Sequence, residues 1–212
     1  MKRLVPFLAV LLFTSSSFAQ YDPTALGILD AMSAKFKEME SFKAQITYSM
    51  VNETEGINED FNGEIFVKGN KYRLKTDEQE IINNGETVWT YLPDVNEVNI
   101  DNFSDEGDIT PSSIYTMYKE GFKYVQLENS NVNGKVCEVI DLMPETRDSQ
   151  FFKIKMEISE KDNMLQRWTM FDKTGNKYIY MIQSFTPNPN LSDKDFVFDE
   201  SQYDGVEVVD LR

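Results

Sequence analysis

The stretch Ile81-Ile82-Asn83-Asn84-Gly85-Glu86-Thr87-Val88-Trp89-Thr90-Tyr91-Leu92-Pro93-Asp94 decides the fold. Asn-Gly enters the left-handed backbone region at little cost, as a tight hairpin turn requires. β-branched and aromatic residues follow the turn until Pro93-Asp94 ends the run. The same signals recur at Asn133-Gly134 and Thr174-Gly175-Asn176. Before the first turn Ala44, Ile46, Tyr48 and Met50 alternate with Lys43, Gln45, Thr47 and Ser49, and between the last two Phe152, Ile154, Met156 and Ile158 alternate with Lys153, Lys155 and Glu157. Period-two alternation marks half-buried strands. Thr87–Tyr91 and Tyr178-Ile179-Tyr180-Met181-Ile182 are apolar on both faces.

Two segments break this pattern. Asp22-Pro23 is an N-cap followed by proline at the first helical position, and Leu26, Leu29, Met32, Phe36 and Met39 then recur at helical steps. Thr110-Pro111 repeats the signal, with Ile114, Met117 and Tyr118 on one short face, Lys119 in the last turn and Gly121 as the stop. Strands joined by short turns predict one antiparallel meander of roughly ten or eleven strands. A sheet that long curls toward a barrel or half-barrel, so the expected architecture is α+β, mainly β, a single antiparallel sheet with both helices covering its concave side.

Composition excludes much chemistry. The chain has 36 acidic and 21 basic residues, no His and one Cys, with net charge −15. Without His there is no imidazole catalysis or imidazole metal site. One Cys forms no internal disulfide or zinc cluster, and the β-like pattern around Cys137 predicts a buried structural thiol. The acidity argues against nucleic acid. Carboxylate clusters at Glu53/Glu55, Glu59/Asp60, Asp105/Glu106/Asp108 and Asp193/Asp195 sit in turn-like stretches and read as solvated loops. Asp105-Glu106-Gly107-Asp108 lacks the twelve-residue calcium-loop pattern. The expectation is a protein that is not an enzyme and needs no metal or cofactor.

Residues 1–19 read as a signal peptide: Lys2 and Arg3, then the apolar run Leu4–Phe13, then Ser17-Phe18-Ala19 as a cleavage pattern. Ten apolar residues make a helix of about 15 Å, half a bilayer core. Export is expected, with residues 20–212 as one soluble domain of net charge −17, two basic residues having left with the leader.

Phe61-Asn62-Gly63-Glu64-Ile65-Phe66-Val67-Lys68, then Lys71-Tyr72-Arg73-Leu74, then the Ile81–Asp94 hairpin and Asn96-Glu97-Val98 together resemble the periplasmic outer-membrane lipoprotein carrier family, LolA. That family carries G-x-hydrophobic-x-V-K followed by F-R-W, and a T-hydrophobic-W-x-Y-x-P-D hairpin. Ser41-Phe42-Lys43-Ala44-Gln45 resembles its opening, and Phe196-Val197-Phe198 with Gly205-Val206-Glu207-Val208 its ending.

The resemblance implies an unclosed β-barrel with helices as a lid over an apolar chamber. It implies a monomeric periplasmic chaperone that takes acylated lipoproteins from an inner-membrane ABC-type exporter to the outer membrane, where the acceptor is either a receptor protein or the membrane itself. Carried onto this chain, the cavity lining is Ile46, Tyr48, Tyr72, Leu74, Ile81, Trp89 and Tyr91, and the lid residues are Leu26, Leu29, Phe36, Ile114 and Met117. An empty apolar hollow beneath movable helices is therefore expected. One departure stands out: the family has Arg-Pro after Val-Lys, and here Gly69-Asn70 stand instead, so an arginine latch on the lid is missing. Two rival readings share the pattern: an envelope sensor that binds lipids or lipoproteins on the same half-barrel, and a secreted β-domain with a filled core.

Overall fold

The computed structural model describes residues 21–104 and 109–212. The proposed signal peptide and the Asp105–Asp108 cluster lie outside the described residues.

The helix α1 spans Pro23–Lys37. Twelve strands follow: β1 Ser41–Asn52, β2 Ile57–Lys68, β3 Lys71–Thr76, β4 Glu80–Asn83, β5 Thr87–Leu92, β6 Glu97–Asn102, β7 Phe122–Val132, β8 Lys135–Pro144, β9 Phe151–Ser159, β10 Leu165–Asp172, β11 Lys177–Pro187 and β12 Glu207–Asp210. They form one sheet in the order β12-β6-β5-β4-β3-β2-β1-β11-β10-β9-β8-β7. The fold is mainly β and unclosed, since β12 and β7 are its two edges.

Three expectations need correction. Among the described residues there are twelve strands, where roughly ten or eleven were expected. The meander is not single: β1–β6 form one antiparallel run and β7–β11 another, joined where β1 pairs with β11. The short strand β12 then adds to β6 in parallel, because the last segment returns along the far edge. The third correction concerns the second helix. Residues 110–121 fold into two 3-10 turns, Ser113–Tyr115 and Met117–Lys119. Thr110 and Ser113 exchange hydrogen bonds, Ser113 N–H to Thr110 Oγ1 at 3.0 Å and Thr110 N–H to Ser113 Oγ at 2.7 Å. Hydroxyls that satisfy the local backbone this way compete with a continuous helix.

The turns follow the chemistry of their residues. Asn133 and Gly134 both have positive φ, 51° and 80°, which places the β7–β8 hairpin on a primed turn. Between β2 and β3 only Gly69 and Asn70 intervene, with Gly69 at φ 63°. The residues that replace the family's Arg-Pro thus serve a two-residue turn with glycine first.

Residues opposite one another in neighbouring strands share a face. One face carries the rows Ala44–Ile65–Leu74–Ile81 and Tyr48–Tyr180–Trp168–Met156–Ile140. This face holds the main core, in which Leu29 and Met32 of α1, Ile114 and Tyr115 pack on Phe42, Ile65, Val67, Ile140, Leu142, Ile154 and Met156. The opposite face holds a smaller core, where Ile82 and Val98 pack with Phe198, Trp89, Tyr91 and Tyr203. The strand Phe151–Ser159 carries one more difference: a bulge at Phe171/Asp172 sends Phe151 to the core and leaves Phe152 exposed. Cys137 is buried, as expected.

Candidate functional site

The helix α1 begins where Asp22 caps it. Its carboxylate accepts from Thr24 N–H at 2.8 Å, and Pro23 occupies the first turn, where its missing N–H leaves no gap. The buried stripe is Ala25, Ile28, Leu29, Met32 and Ser33, one position round from the stripe expected around Leu26. Ala25 is fully buried in its place, and Leu26 is exposed. Leu29 is fully buried, and Phe36 stacks on Tyr115 with ring centroids 4.1 Å apart and planes 5° apart. Ile114 is buried and Met117 packs against the same core.

Beyond the ground covered by α1, the same face continues as a stack of aromatic rings. Phe61 on β2, Tyr48 on β1, Tyr180 on β11 and Trp168 on β10 follow one another across four strands. Successive centroid distances are 5.9, 4.9 and 4.8 Å, and Trp168 lies parallel to Tyr180. All four rings are half-buried. Burial raises the Tyr48 and Tyr180 hydroxyl pKa values, so both stay neutral and the surface carries no charge from them. Tyr72, Leu74 and Ile81 extend this face along β3 and β4, also half-buried. Of the ring stack, only Tyr48 is among the lining residues expected from the sequence; Phe61, Trp168 and Tyr180 come together with it by cross-strand register, which alternation within a single strand does not reveal.

The seven expected lining residues do not share one cavity. Ile46 is buried in the core. Trp89 and Tyr91 point to the opposite face, because Trp89 pairs with Ile82 and Tyr91 with Glu80, while Ile81 pairs with Leu74. There Tyr91 packs on Tyr203 at 4.5 Å. Beneath α1 the expected hollow is filled by the protein's own side chains, with Leu29, Ile140, Leu142, Ile154 and Met156 at 1% exposure or less. The structure opens cavities of 540, 530, 610, 290 and 210 Å³ elsewhere. Of the twelve expected residues Leu26 alone lines one of these five, the 290 Å³ recess beside Tyr118 and Tyr124.

Two buried carboxylates of the sheet are committed to partners. Glu157, 2% exposed, is held by Arg167 in a two-bond ion pair and by Ser130 Oγ at 2.7 Å. Glu80, 4% exposed, is held by Arg73 Nε at 2.6 Å and by the Tyr203 hydroxyl at 2.8 Å. Among the described residues no cluster of three or more Cys, Asp or Glu is placed to hold a metal ion. No helix among them is long and apolar enough to cross a membrane.

The family model for the outer membrane lipoprotein carrier protein LolA matches residues 37–199. The chain belongs to the LolA family. An outer-membrane lipoprotein carrier protein of Hahella chejuensis is 27% identical, with 98% of each chain covered. One from Pseudomonas paraeruginosa is 31% identical over 65% of each. Among solved structures, an uncharacterized conserved protein from Thermus thermophilus aligns with a TM-score of 0.58 at 13% identity, covering 88% of this chain and 99% of that one. That likeness is one of fold, and it supports the sheet architecture of this LolA-family member.

Proposed function

We propose that this LolA-family chain is a periplasmic carrier that binds the acyl chains of lipoproteins and moves them from the inner to the outer membrane. In this reading residues 1–19 are its signal peptide and residues 20–212 its single domain. It receives cargo from an ABC-type exporter and yields it to an outer-membrane acceptor. The observation that carries the reading is the half-buried stack Phe61–Tyr48–Tyr180–Trp168, uncharged and continuous with the core beneath α1.

The energetics of that task are demanding. Each buried CH₂ is worth about 0.8 kcal/mol, so a 16-carbon chain held in water costs on the order of 12 kcal/mol. Rings offer apolar area at low entropic cost and read nothing of the cargo's protein part. Because the space beneath α1 is filled, a whole chain is enclosed only when α1 moves away. The aromatic platform then supplies first contact, and displacement of α1 costs part of the binding energy, which keeps release feasible. No nucleophile or acid–base pair takes part; the work is binding and release.

Purified mature protein mixed with a synthetic triacylated lipopeptide tests the binding step. A stable complex is expected, and the unacylated peptide should not bind. Depletion in the source bacterium tests the transport step: lipoproteins should accumulate in the inner membrane. Normal sorting on depletion would overturn transport.

A further inference from the structure

The ends of α1 are fastened to the sheet in different ways. Its C-terminal end passes into β1 through the three residues Glu38, Met39 and Glu40. Its N-terminal end meets β7, the edge strand. Four strands lie between β1 and β7 in the sheet, a span of about 24 Å at the usual spacing. A helix of 15 residues is about 22 Å long. The helix α1 is therefore a crossbeam over β8–β11, continuous with the chain at β1 and held at β7 by side-chain and backbone contacts.

Those contacts centre on Asp22. One carboxylate oxygen caps the helix, accepting from Thr24 N–H. The other, Oδ2, accepts from the outward N–H of Gln126 on β7 at 3.1 Å. Asp22 N–H reaches Tyr124 O at 3.4 Å, and Tyr21 packs edge-on against Tyr124 with centroids 5.6 Å apart. We propose that Asp22 is the releasable clip of α1: breaking its bond to Gln126 loosens the first turn of the helix from β7 and lowers the cost of swinging α1 about its hinge at β1. This rests on the reading that acyl chains enter beneath α1. It places release at the open edge of the sheet, where a chain has a way in, and it gives this protein a fastening in place of the arginine that Gly69-Asn70 displace.

Two substitutions break the same bond from opposite sides. Asp22→Asn retains a good N-cap but puts an amide nitrogen where an acceptor is needed. Gln126→Pro removes the donor at an edge position where proline is tolerated. Hydrogen exchange by mass spectrometry on the ligand-free mature protein should show α1 amides exchanging about tenfold faster in both variants, with β8 and β9 unchanged. Wild-type exchange of α1 in either variant would overturn the clip. A fluorescent 16-carbon fatty acid, added in a second arm, should associate faster with both variants. Faster α1 exchange without any probe binding, in the variants or the wild type, would uphold the clip and overturn the lipid reading.

Discussion

The Tyr118 hydroxyl donates to Asp30 Oδ1 at 2.5 Å, joining the middle of α1 to the 3-10 turns that precede β7. Burial and the Asp30 carboxylate raise the Tyr118 pKa, so the hydroxyl remains a donor across the physiological range. Together with the Phe36–Tyr115 stack, this bond makes one cover of two segments far apart in sequence.

Tyr118→Phe keeps the ring and deletes the donor. A hydrogen bond to a charged but solvent-reachable partner is worth about 1.5 kcal/mol. The urea midpoint should fall accordingly with the slope unchanged. An unaltered midpoint would show that water replaces Tyr118 at no cost.

Glu157→Gln removes the charged partner of Arg167, whose side chain is a third exposed and so remains solvated. Losing this charge-assisted pair should cost about 1.5 kcal/mol, measurable by denaturant unfolding. Burial raises the Glu157 pKa, but the Arg167 and Ser130 hydrogen bonds outweigh it and the net shift is downward. A depressed carboxylate stabilises the fold above its unfolded value near 4.3, and that contribution disappears as pH falls through the lower folded value. Wild type should therefore lose its advantage over the variant only below about pH 4.

The two faces of the β3–β4–β5 meander predict opposite phenotypes. Leu74→Glu puts a charge on the face shared with α1 and the ring stack, and should abolish lipopeptide capture in a pull-down. Trp89→Ala acts on the small opposite core and should cost about 2 kcal/mol of stability while capture persists. Loss of capture in both folded proteins would show that the faces are not functionally separate.

Gly63 sits where β1, β2 and β3 crowd. A Cβ there would meet Lys75 O and Thr76 Cγ2 at 3.2 Å and Ile46 Cγ1 at 3.4 Å. Gly63→Ala should destabilise by about 1 kcal/mol, visible as a lowered thermal midpoint. Gly69→Ala meets no atom within 4 Å, but its φ of 63° makes a side chain strained, and a similar loss is expected.

Local physics made much of this legible in the chain. Asp22-Pro23 starts a helix because capping and a fixed φ act within a few residues, and Asn133-Gly134 turns a hairpin for the same reason. The Ser/Thr-rich segment at 110–116 misled the helix reading because its hydroxyls compete with the helical backbone. Trp89 and Tyr91 alternate as cleanly as Tyr72 and Leu74, yet alternation states only that two residues share a face, never which face of the finished sheet it is.

By itself, then, the sequence determined the mainly β class, the helix start, the tight turns and the LolA kinship, all carried by neighbouring residues. Tertiary structure decided what depends on long-range register: the pairing of β1 with β11 that aligns Tyr48, Tyr180 and Trp168, the placement of Trp89 on the far face, and the filled space under α1. Side chains from strands more than a hundred residues apart meet only after the sheet has formed, so no short stretch encodes where they converge.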